Sequence, residues 1–168
     1  GEIYNYRELD PNALSDGPSI ITCYKKYGED FISHLDGEYT IVLFDFQKNR
    51  LYISSDLFKT KPLFYHVGED IIISSYESVC QKINSSYKYK SIKHNETLIF
   101  DLETRKLVKT IPVYQFDLRQ YKTDYNDFVK AFEEAVLKRY PEKTVPLITL
   151  SSGIDSGAIA CCLKKYNK

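Results

Sequence analysis

Residues 35–116 show one pattern three times: two short apolar runs, rich in β-branched and aromatic residues, flank a polar turn. The turns fall at residues 47–50, 68–70 and 103–105. Paired runs of this kind are typical of β-hairpins. The pattern therefore predicts three consecutive hairpins, built from LDGEYTIVLFDFQKNRLYISSDL, PLFYHVGEDIIISS and TLIFDLETRKLVKTIPVYQF.

Two other segments carry apolar residues at helical spacing. Residues 18–35 do so with a break at Gly28, which predicts a helix over 18–27 and a second turn or short helix over 29–35. The other segment predicts a helix at about 125–139, with charged residues on its exposed face, and Pro141 ends it. Its apolar face consists of Phe128, Ala131, Phe132, Ala135 and Val136.

The last part of the chain suggests a second fold. The short apolar run at 145–150 predicts a strand covered on both faces in a parallel sheet. The polar loop SSGIDSG and a helix at AIACCLKK follow it. Helix, strand, loop and helix in this order indicate the start of an α/β domain. We therefore divide the chain near residue 120, into 1–120 and 121–168.

Composition excludes several functional classes. The 168 residues carry 23 basic and 23 acidic side chains, so no charge excess attracts nucleic acid or an anionic membrane. No apolar stretch approaches the roughly 20 residues that span a bilayer. The four cysteines form no C-x-x-C pair and the three histidines lack ligand spacing. We expect no metal site made of protein ligands alone, and a reducing, cytoplasmic compartment.

The loop before the last helix could hold a phosphate group. The first amides of a helix lack internal partners, and Ser151, Ser152 and Ser156 add hydroxyl donors. Gly153 lets the backbone approach an anion, and Asp155 could hold Mg²⁺ or a polar substrate group. The absence of G-K-[ST] excludes a Walker A loop. The alternative is an ordinary helix cap, because Ser and Asp favour helix starts.

The pattern Ser151-x-Gly153-x-Asp155-Ser156 after an apolar run resembles the pyrophosphate loop of the ATP-pyrophosphatase superfamily. Its members cleave ATP to AMP and pyrophosphate while activating a carbonyl. The loop alone fits tRNA-thiolating enzymes, GMP synthetase, argininosuccinate synthetase or asparagine synthetase.

The beginning of the chain selects among these families. GEIYNY resembles the N-G-E-I-Y-N motif of class II glutamine amidotransferases, without its first Asn. Ser15-Asp16 resembles their S-D element, and SDLFKTKPLFY resembles R-D-x-x-G-x-K-P-L-Y-Y. Both motif sets, in this order, resemble the glutamine-hydrolysing asparagine synthetases, with both ends truncated. The resemblance implies a partial α+β N-terminal nucleophile (Ntn) hydrolase-type αββα amidotransferase domain. The start of an α/β adenine nucleotide alpha hydrolase-like (PP-loop) domain would follow it.

The resemblance also implies a glutamine site at the start of the chain. The nucleophilic Cys would lie upstream of Gly1, whose amide would complete the oxyanion hole. Glu2 and Asp16 would bind the α-ammonium group of glutamine, and Ile3 would belong to the same site. Each carboxylate also has an ordinary alternative. Asp16 could be the N-cap of a helix starting near Pro18, a role compatible with glutamine binding, and Glu2 could be a plain surface carboxylate.

In the second half, the resemblance implies ATP phosphates on Ser151, Ser152, Gly153, Ile154, Asp155 and Ser156. Adenine would lie near Leu150, and Mg²⁺ at Asp155 would offset the phosphate charge. Aspartate would react to β-aspartyl-AMP, and ammonia from glutamine would displace AMP to give asparagine. The expected cofactors are thus ATP and Mg²⁺ and the expected partners glutamine, aspartate and ATP, with a homodimer among the fitting assemblies.

The chain departs from the family patterns at several positions. Ser152 replaces a glycine, which would cost about 1 kcal/mol if its φ were positive. The other departures are Gly157 for Ser, Ser55 for Arg, Lys59 for Gly and Pro18 for Glu. Two alternatives therefore stay open. One is an AMP-forming amide or lactam synthetase that acts on a different carboxylate, and the other is a binding or scaffolding domain.

Overall fold

The computed structural model describes residues 1–141 and 144–168. The chain forms two compact units, residues 1–116 and 117–168, and each is described by itself. What kind of domain the second unit belongs to stays a prediction.

The first unit contains nine strands, three α-helices and one 3₁₀ helix among its described residues. In chain order they are β1 (Glu2–Ile3), α1 (Tyr6–Leu9), α2 (Asp16–Tyr27), the 3₁₀ helix (Gly28–His34), β2 (Gly37–Glu38), β3 (Thr40–Asp45), β4 (Arg50–Ser55), β5 (Phe64–Val67), β6 (Ile71–Ser74), α3 (Glu77–Ile83), β7 (Lys90–Ser91), β8 (Glu96–Asp101) and β9 (Leu107–Ile111).

All strand pairs of this unit are antiparallel. The sheets have the orders β3-β4-β8-β9, β6-β5-β7 and β1-β2. The pairs β3–β4, β5–β6 and β8–β9 are the three predicted hairpins, which the structure confirms. The remaining pairs join segments distant in sequence, and no local pattern predicts them.

The four-stranded sheet is covered on both faces. One face packs against α2 and the 3₁₀ helix in what we call the helix-side core, which includes Phe31, Tyr52 and Ile99. The other face packs against β5 in the inter-sheet core, which includes Ile53 and Phe100. Because both its faces are covered, β4 is buried almost throughout and shows no apolar–polar alternation.

A helix also covers the outer face of the three-stranded sheet. Ile71 and Ile73 of β6 pack against the inter-sheet core, whereas Ile72 points to the opposite face and is also buried. Helix α3, whose Cys80 is fully buried, contacts β5 and β6. The layers are therefore helix, sheet, sheet and helix. Neither α3 nor the single turn of α1 was predicted from the sequence.

Helix α2 follows its apolar pattern closely. It begins at Asp16, two residues before the predicted start, and ends at Tyr27 as predicted. Gly28 follows with a φ of 61°, a left-handed conformation that glycine adopts without a steric penalty. The 3₁₀ helix runs from Gly28 to His34, which confirms the predicted short helix over 29–35.

The second unit contains two helices among its described residues, α4 (Asn126–Lys138) and α5 (Ile154–Lys165). Helix α4 confirms the predicted helix at 125–139. Glu133 of α4 accepts hydrogen bonds from Lys165 Nζ and Tyr166 Oη, both at 2.6 Å, and these contacts join the two helices.

The predicted strand at 145–150 is wrong. These residues form no strand, and Val145 and Leu147 are almost fully exposed. A strand buried on both faces needs hydrogen-bonded neighbours, and the described part of residues 117–168 provides none. The predicted beginning of a parallel α/β sheet is therefore not formed in this unit.

None of the helices among the described residues is both long enough and apolar enough to span a lipid bilayer.

Candidate functional site

The start of the chain is held by a short strand pair. Glu2 lies opposite Glu38, and Ile3 lies opposite Gly37. A Cβ on Gly37 would lie 2.2 Å from the Glu2 carbonyl oxygen, so this close approach requires glycine. Ile3 is buried in the helix-side core, which anchors the strand while Glu2 stays exposed.

Gly1 lies against the peptide group that joins Glu38 to Tyr39. A Cβ on Gly1 would lie 2.7 Å from the Glu38 carbonyl oxygen and 2.8 Å from Tyr39 Cα. Real Cβ atoms do not approach backbone so closely, so a side chain at residue 1 would push this segment away from its partner. Glycine is thus required here by packing, and the residue stays exposed.

Asp16 joins the strand pair to helix α2. Its Oδ2 atom accepts a hydrogen bond from the Ile3 backbone N–H at 3.0 Å. Ser15 is the N-cap, and Asp16 is the first residue of the helix, so the alternative that Asp16 caps the helix is wrong. The structure therefore brings Asp16 to the Ile3 backbone across 13 residues of sequence, with Gly1 and Glu2 directly before Ile3 in the chain.

Asn5 holds the following turn in place. Its side-chain oxygen accepts the Asp36 N–H at 3.0 Å, and its amide nitrogen donates to the His34 carbonyl at 2.9 Å. The Tyr4 N–H donates to the Asp36 carbonyl at 2.7 Å. This role of Asn5 was not predicted from the sequence. The signal was its place in the amidotransferase-like GEIYN motif.

The site has acidic character with one nearby lysine. Glu2 and Glu38 occupy directly opposite positions, an arrangement that is destabilising for two like charges. Lys61 Nζ lies 3.6 Å from a Glu38 carboxylate oxygen and offsets part of this charge. A bound ammonium group would offset more of it. Sequence reasoning missed Glu38 and did not assign Lys61, although Lys61 belongs to the quoted KPLFY segment.

Asp56 organises the turn that carries Lys61. Its buried carboxylate accepts hydrogen bonds from the backbone of Tyr39 at 3.1 Å and of Phe58 at 2.8 Å, and from Thr60. Burial, and then the charge of Asp56, raise the pKa of the Tyr39 hydroxyl well above its ordinary value. Asp56 thus ties this turn to the strand that carries Glu38.

Two departures from the family pattern have structural consequences here. Lys59 has a φ of 54°, so it occupies a left-handed conformation in which the glycine of the pattern would avoid about 1 kcal/mol of strain. Ser55 stands where the pattern has Arg, and its hydroxyl oxygen is buried without a hydrogen-bond partner in the described part of the chain.

In the second unit, the loop before α5 is organised by hydroxyl groups. Ser151 Oγ and Ser156 Oγ lie 3.0 Å apart. The Gly153 N–H donates to Ser151 Oγ at 3.1 Å, and the Ser151 N–H donates to Ser156 Oγ at 3.2 Å. Gly153 is the N-cap of α5, with an ordinary φ of −77°. The loop is therefore an ordered helix start as well as a candidate phosphate site.

The loop residues fit an exposed phosphate group. Ser151, Ser152, Gly153, Ile154 and Asp155 are all exposed and precede or begin a helix of 12 residues, whose N-terminal amides point outwards. Ser152 does not have a positive φ, so its replacement of glycine causes no strain. The exposed Leu150 precedes the loop.

Asp155 offers a single carboxylate to a metal ion. The described residues contain no group of three or more His, Cys, Asp or Glu side chains that could hold one. Mg²⁺ usually binds through one or two carboxylates together with water and substrate phosphates. The residues therefore fit Mg²⁺ only as part of a nucleotide complex.

Comparison with known proteins identifies the first unit. The model of the glutamine amidotransferase domain family matches residues 1–111, about two thirds of the chain. The chain belongs to this family. The match covers Glu2, Asp16 and every strand of the first unit, and it ends before α4.

The curated relatives include asparagine synthetases. A provisionally named glutamine-hydrolysing asparagine synthetase 1 of Methanocaldococcus jannaschii is 30% identical over 195 residues, which cover 99% of this chain and 35% of that protein. Glutamine-hydrolysing asparagine synthetase 2 of Oryza sativa subsp. japonica is 28% identical over 175 residues, with coverages of 99% and 29%. The chain thus spans about a third of the length of these relatives.

A solved structure confirms the fold of the amidotransferase unit. The glutamine phosphoribosylpyrophosphate amidotransferase of B. subtilis, complexed with ADP and GMP, has a TM-score of 0.52 at 16% identity. The structural match covers 68% of this chain and 28% of the solved chain. The predicted Ntn-type amidotransferase fold is therefore confirmed. The amidotransferase family model ends at residue 111, and the PP-loop and ATP-binding assignments of the second unit stay predictions.

Proposed function

We propose that this chain is the part of a glutamine-dependent asparagine synthetase that recognises glutamine and begins the ATP site. The observation that supports the proposal is the 3.0 Å contact between Asp16 and the Ile3 N–H, because Ile3 directly follows Gly1 and Glu2 in the chain. The membership of residues 1–111 in the amidotransferase family supports the same assignment.

Each residue of the glutamine site has a chemical task. The Glu2 and Asp16 carboxylates bind the α-ammonium group of glutamine by charge-assisted hydrogen bonds. The Gly1 N–H donates to the oxyanion that forms when the upstream Cys attacks the side-chain amide. Asn5 and Gly37 keep this strand pair in position. Hydrolysis releases glutamate and ammonia.

The second unit contributes the pyrophosphate loop in this proposal. The amides at the start of α5 and the hydroxyls of Ser151 and Ser156 bind the phosphates of ATP. Asp155 holds Mg²⁺, which neutralises phosphate charge when bound. The β-carboxylate of aspartate displaces pyrophosphate to form β-aspartyl-AMP, and ammonia then displaces AMP to give asparagine.

An AMP-forming amide or lactam synthetase on another carboxylate is the second candidate. The Ser55 hydroxyl, buried without a hydrogen-bond partner among the described residues, and the strained Lys59 are departures from the asparagine synthetase pattern in the amidotransferase half. They favour a relative whose glutamine half has diverged while its ATP chemistry is kept.

The test uses the whole protein that contains these residues together with the upstream Cys. Pyrophosphate release is followed with ATP, Mg²⁺ and glutamine, with and without aspartate. We expect aspartate-dependent pyrophosphate and an equal amount of asparagine. If pyrophosphate is released at the same rate with and without aspartate, the second candidate is supported instead. If no pyrophosphate is released with any carboxylate, both candidates are refuted.

Two variants separate the half-reactions. Asp155→Asn should abolish ATP/pyrophosphate exchange and leave glutaminase activity nearly intact. Asp16→Asn should raise the KM for glutamine by about tenfold or more, the effect of losing one charge-assisted hydrogen bond, with unchanged exchange. Loss of both activities in either variant would contradict the two-site assignment.

A further inference from the structure

We propose that Glu38 is a specificity-determining residue of the glutamine site. Its negative charge favours substrates that carry an α-ammonium group, and the neighbouring Lys61 moderates that charge. This inference rests on the proposed function, because it adds two residues to the glutamine site of Glu2 and Asp16.

Glu2 and Glu38 point to the same face of the β1–β2 pair. Ile3 is buried in the helix-side core, and side chains alternate along a strand, so Glu2 points to the other face. Glu38 lies directly opposite Glu2 and shares that face, with the two Cβ atoms about 5 Å apart. Tyr39, which follows Glu38, is again buried in the helix-side core. An ammonium group that contacts Glu2 therefore lies close to Glu38 as well.

The backbone places Asp16 and Glu38 on opposite sides of β1. The Tyr4 N–H donates at 2.7 Å to the segment that leads into β2, so it points towards β2. Successive N–H groups point to opposite edges of a strand. The Ile3 N–H accordingly points away from β2, where Asp16 accepts it at 3.0 Å. Glu2 thus has one acidic neighbour on each side.

Lys61 contributes a positive charge beside Glu38. Its Nζ atom lies 3.6 Å from a Glu38 carboxylate oxygen, which is longer than a hydrogen bond, and the two side chains are 45% and 40% exposed. The buried Asp56 carboxylate fixes this approach, because it accepts the N–H groups of Tyr39 and Thr60, the chain neighbours of Glu38 and Lys61. The pair is therefore held by the fold, and both charged groups remain accessible to a ligand.

These charges distinguish two kinds of amide substrate. Glutamine carries an α-ammonium group and an α-carboxylate and is neutral overall. The analogue 4-carbamoylbutanoate lacks the ammonium group and carries one negative charge. Glu38 attracts the ammonium group of glutamine and repels the anionic analogue, whereas Lys61 has the opposite effect on both. Substitutions at these two residues should therefore change the preference for glutamine in opposite directions.

The test compares the two substrates in the whole protein that contains these residues together with the upstream Cys. Ammonia release gives kcat/KM for each substrate, and the ratio of the two values measures selection for the α-ammonium group. The variants are Glu38→Gln, Lys61→Met and Glu2→Gln. The matched control is Glu29→Gln in the 3₁₀ helix, because Glu29 is 43% exposed and pairs with Lys109 at 3.0 Å.

We expect Glu38→Gln to lower the ratio of glutamine to analogue by about threefold, the effect of removing one partly exposed charge beside another. Lys61→Met should raise the ratio, and Glu29→Gln should leave it unchanged. Lys61→Met also tests the charge of Glu38 independently if Glu38→Gln does not fold.

Equal losses of kcat/KM for both substrates in Glu38→Gln would show a purely structural role and would overturn the inference. If the ratio still falls in Glu2→Gln, the proposed function stands without it. A lower ratio in Lys61→Met would also overturn the inference. An unchanged ratio in Glu2→Gln would contradict the glutamine site itself, and with it both proposals.

Discussion

The two units of this chain bury their apolar residues to different extents. In residues 1–116, sheets and helices enclose two cores, and Phe31, Tyr52 and Ile53 are fully buried. In residues 117–168, α4 buries no residue and α5 buries only Cys162 and Leu163. Apolar patterning therefore produced buried layers only where partner strands are present within the same unit.

The largest expected difference concerns phenylalanine. Phe31 is 0% exposed and packs edge-on against Tyr24 and Tyr52, whereas Phe128 of α4 is 71% exposed. Phe31→Ala should lower the free energy of unfolding by about 3–5 kcal/mol because it leaves a cavity. Phe128→Ala should change it by less than about 0.5 kcal/mol.

Urea denaturation followed by exchange of the β4 amides measures the first effect, and exchange of the α4 amides measures the second. Similar losses from the two substitutions would show that the second unit has a core of its own.

Alanine substitution should have opposite effects at one glycine of each unit. Gly37→Ala should destabilise the first unit by about 1–3 kcal/mol, because the new Cβ meets the Glu2 carbonyl oxygen at 2.2 Å. Gly157 lies within α5, and a Cβ there meets nothing within 4 Å, so Gly157→Ala should stabilise that helix by about 0.5–1 kcal/mol. Thermal unfolding and amide exchange of each unit measure both. A neutral Gly37→Ala would contradict the tight β1–β2 approach.

A tyrosine–carboxylate hydrogen bond of 2.6 Å occurs in each unit. Tyr24 Oη donates to Asp45 at the edge of the helix-side core, and Tyr166 Oη donates to Glu133 on an exposed surface. Tyr24→Phe should cost about 1–2 kcal/mol of unfolding free energy, because Tyr24 is buried. Tyr166→Phe should be barely measurable, because water replaces the lost partner. Equal effects would show that burial does not decide the strength of these bonds.

Acid should loosen the helix pair of the second unit. Hydrogen bonds from Lys165 and then Tyr166 hold the pKa of the Glu133 carboxyl below its ordinary value. A depressed pKa stabilises the fold above the ordinary value of about 4.3, and this contribution is lost as the pH falls through the folded pKa.

Exchange of the α5 amides, corrected for intrinsic rates, should therefore accelerate between about pH 5 and pH 3 in the native chain. In Glu133→Gln, which cannot titrate, this acceleration should be absent. Identical profiles in both chains would mean that the contact does not hold the helices together.

Local patterns predicted the elements of this protein well wherever a turn residue or a helical repeat marked them. The three hairpins, α2 with its Gly28 stop, and α4 follow directly from side-chain spacing, because that spacing expresses which face of each element is buried. Motif resemblance also identified Gly1, Glu2, Ile3 and Asp16 as candidates. Their common location could not be derived from spacing, since it depends on the pairing of β1 with β2.

The tertiary structure decided which segments pair with one another and which residues are buried. The apolar run at 145–150 has the composition of a buried strand, yet it forms none here because hydrogen-bonded neighbours are needed to satisfy its backbone. Asp16 contacts Ile3 rather than capping α2 because the β1–β2 pair brings that N–H within 3.0 Å. The sequence by itself determined which segments are helices or hairpins. Contacts between distant segments determined that the Asp16 carboxylate meets the Ile3 N–H and which strands pair with one another.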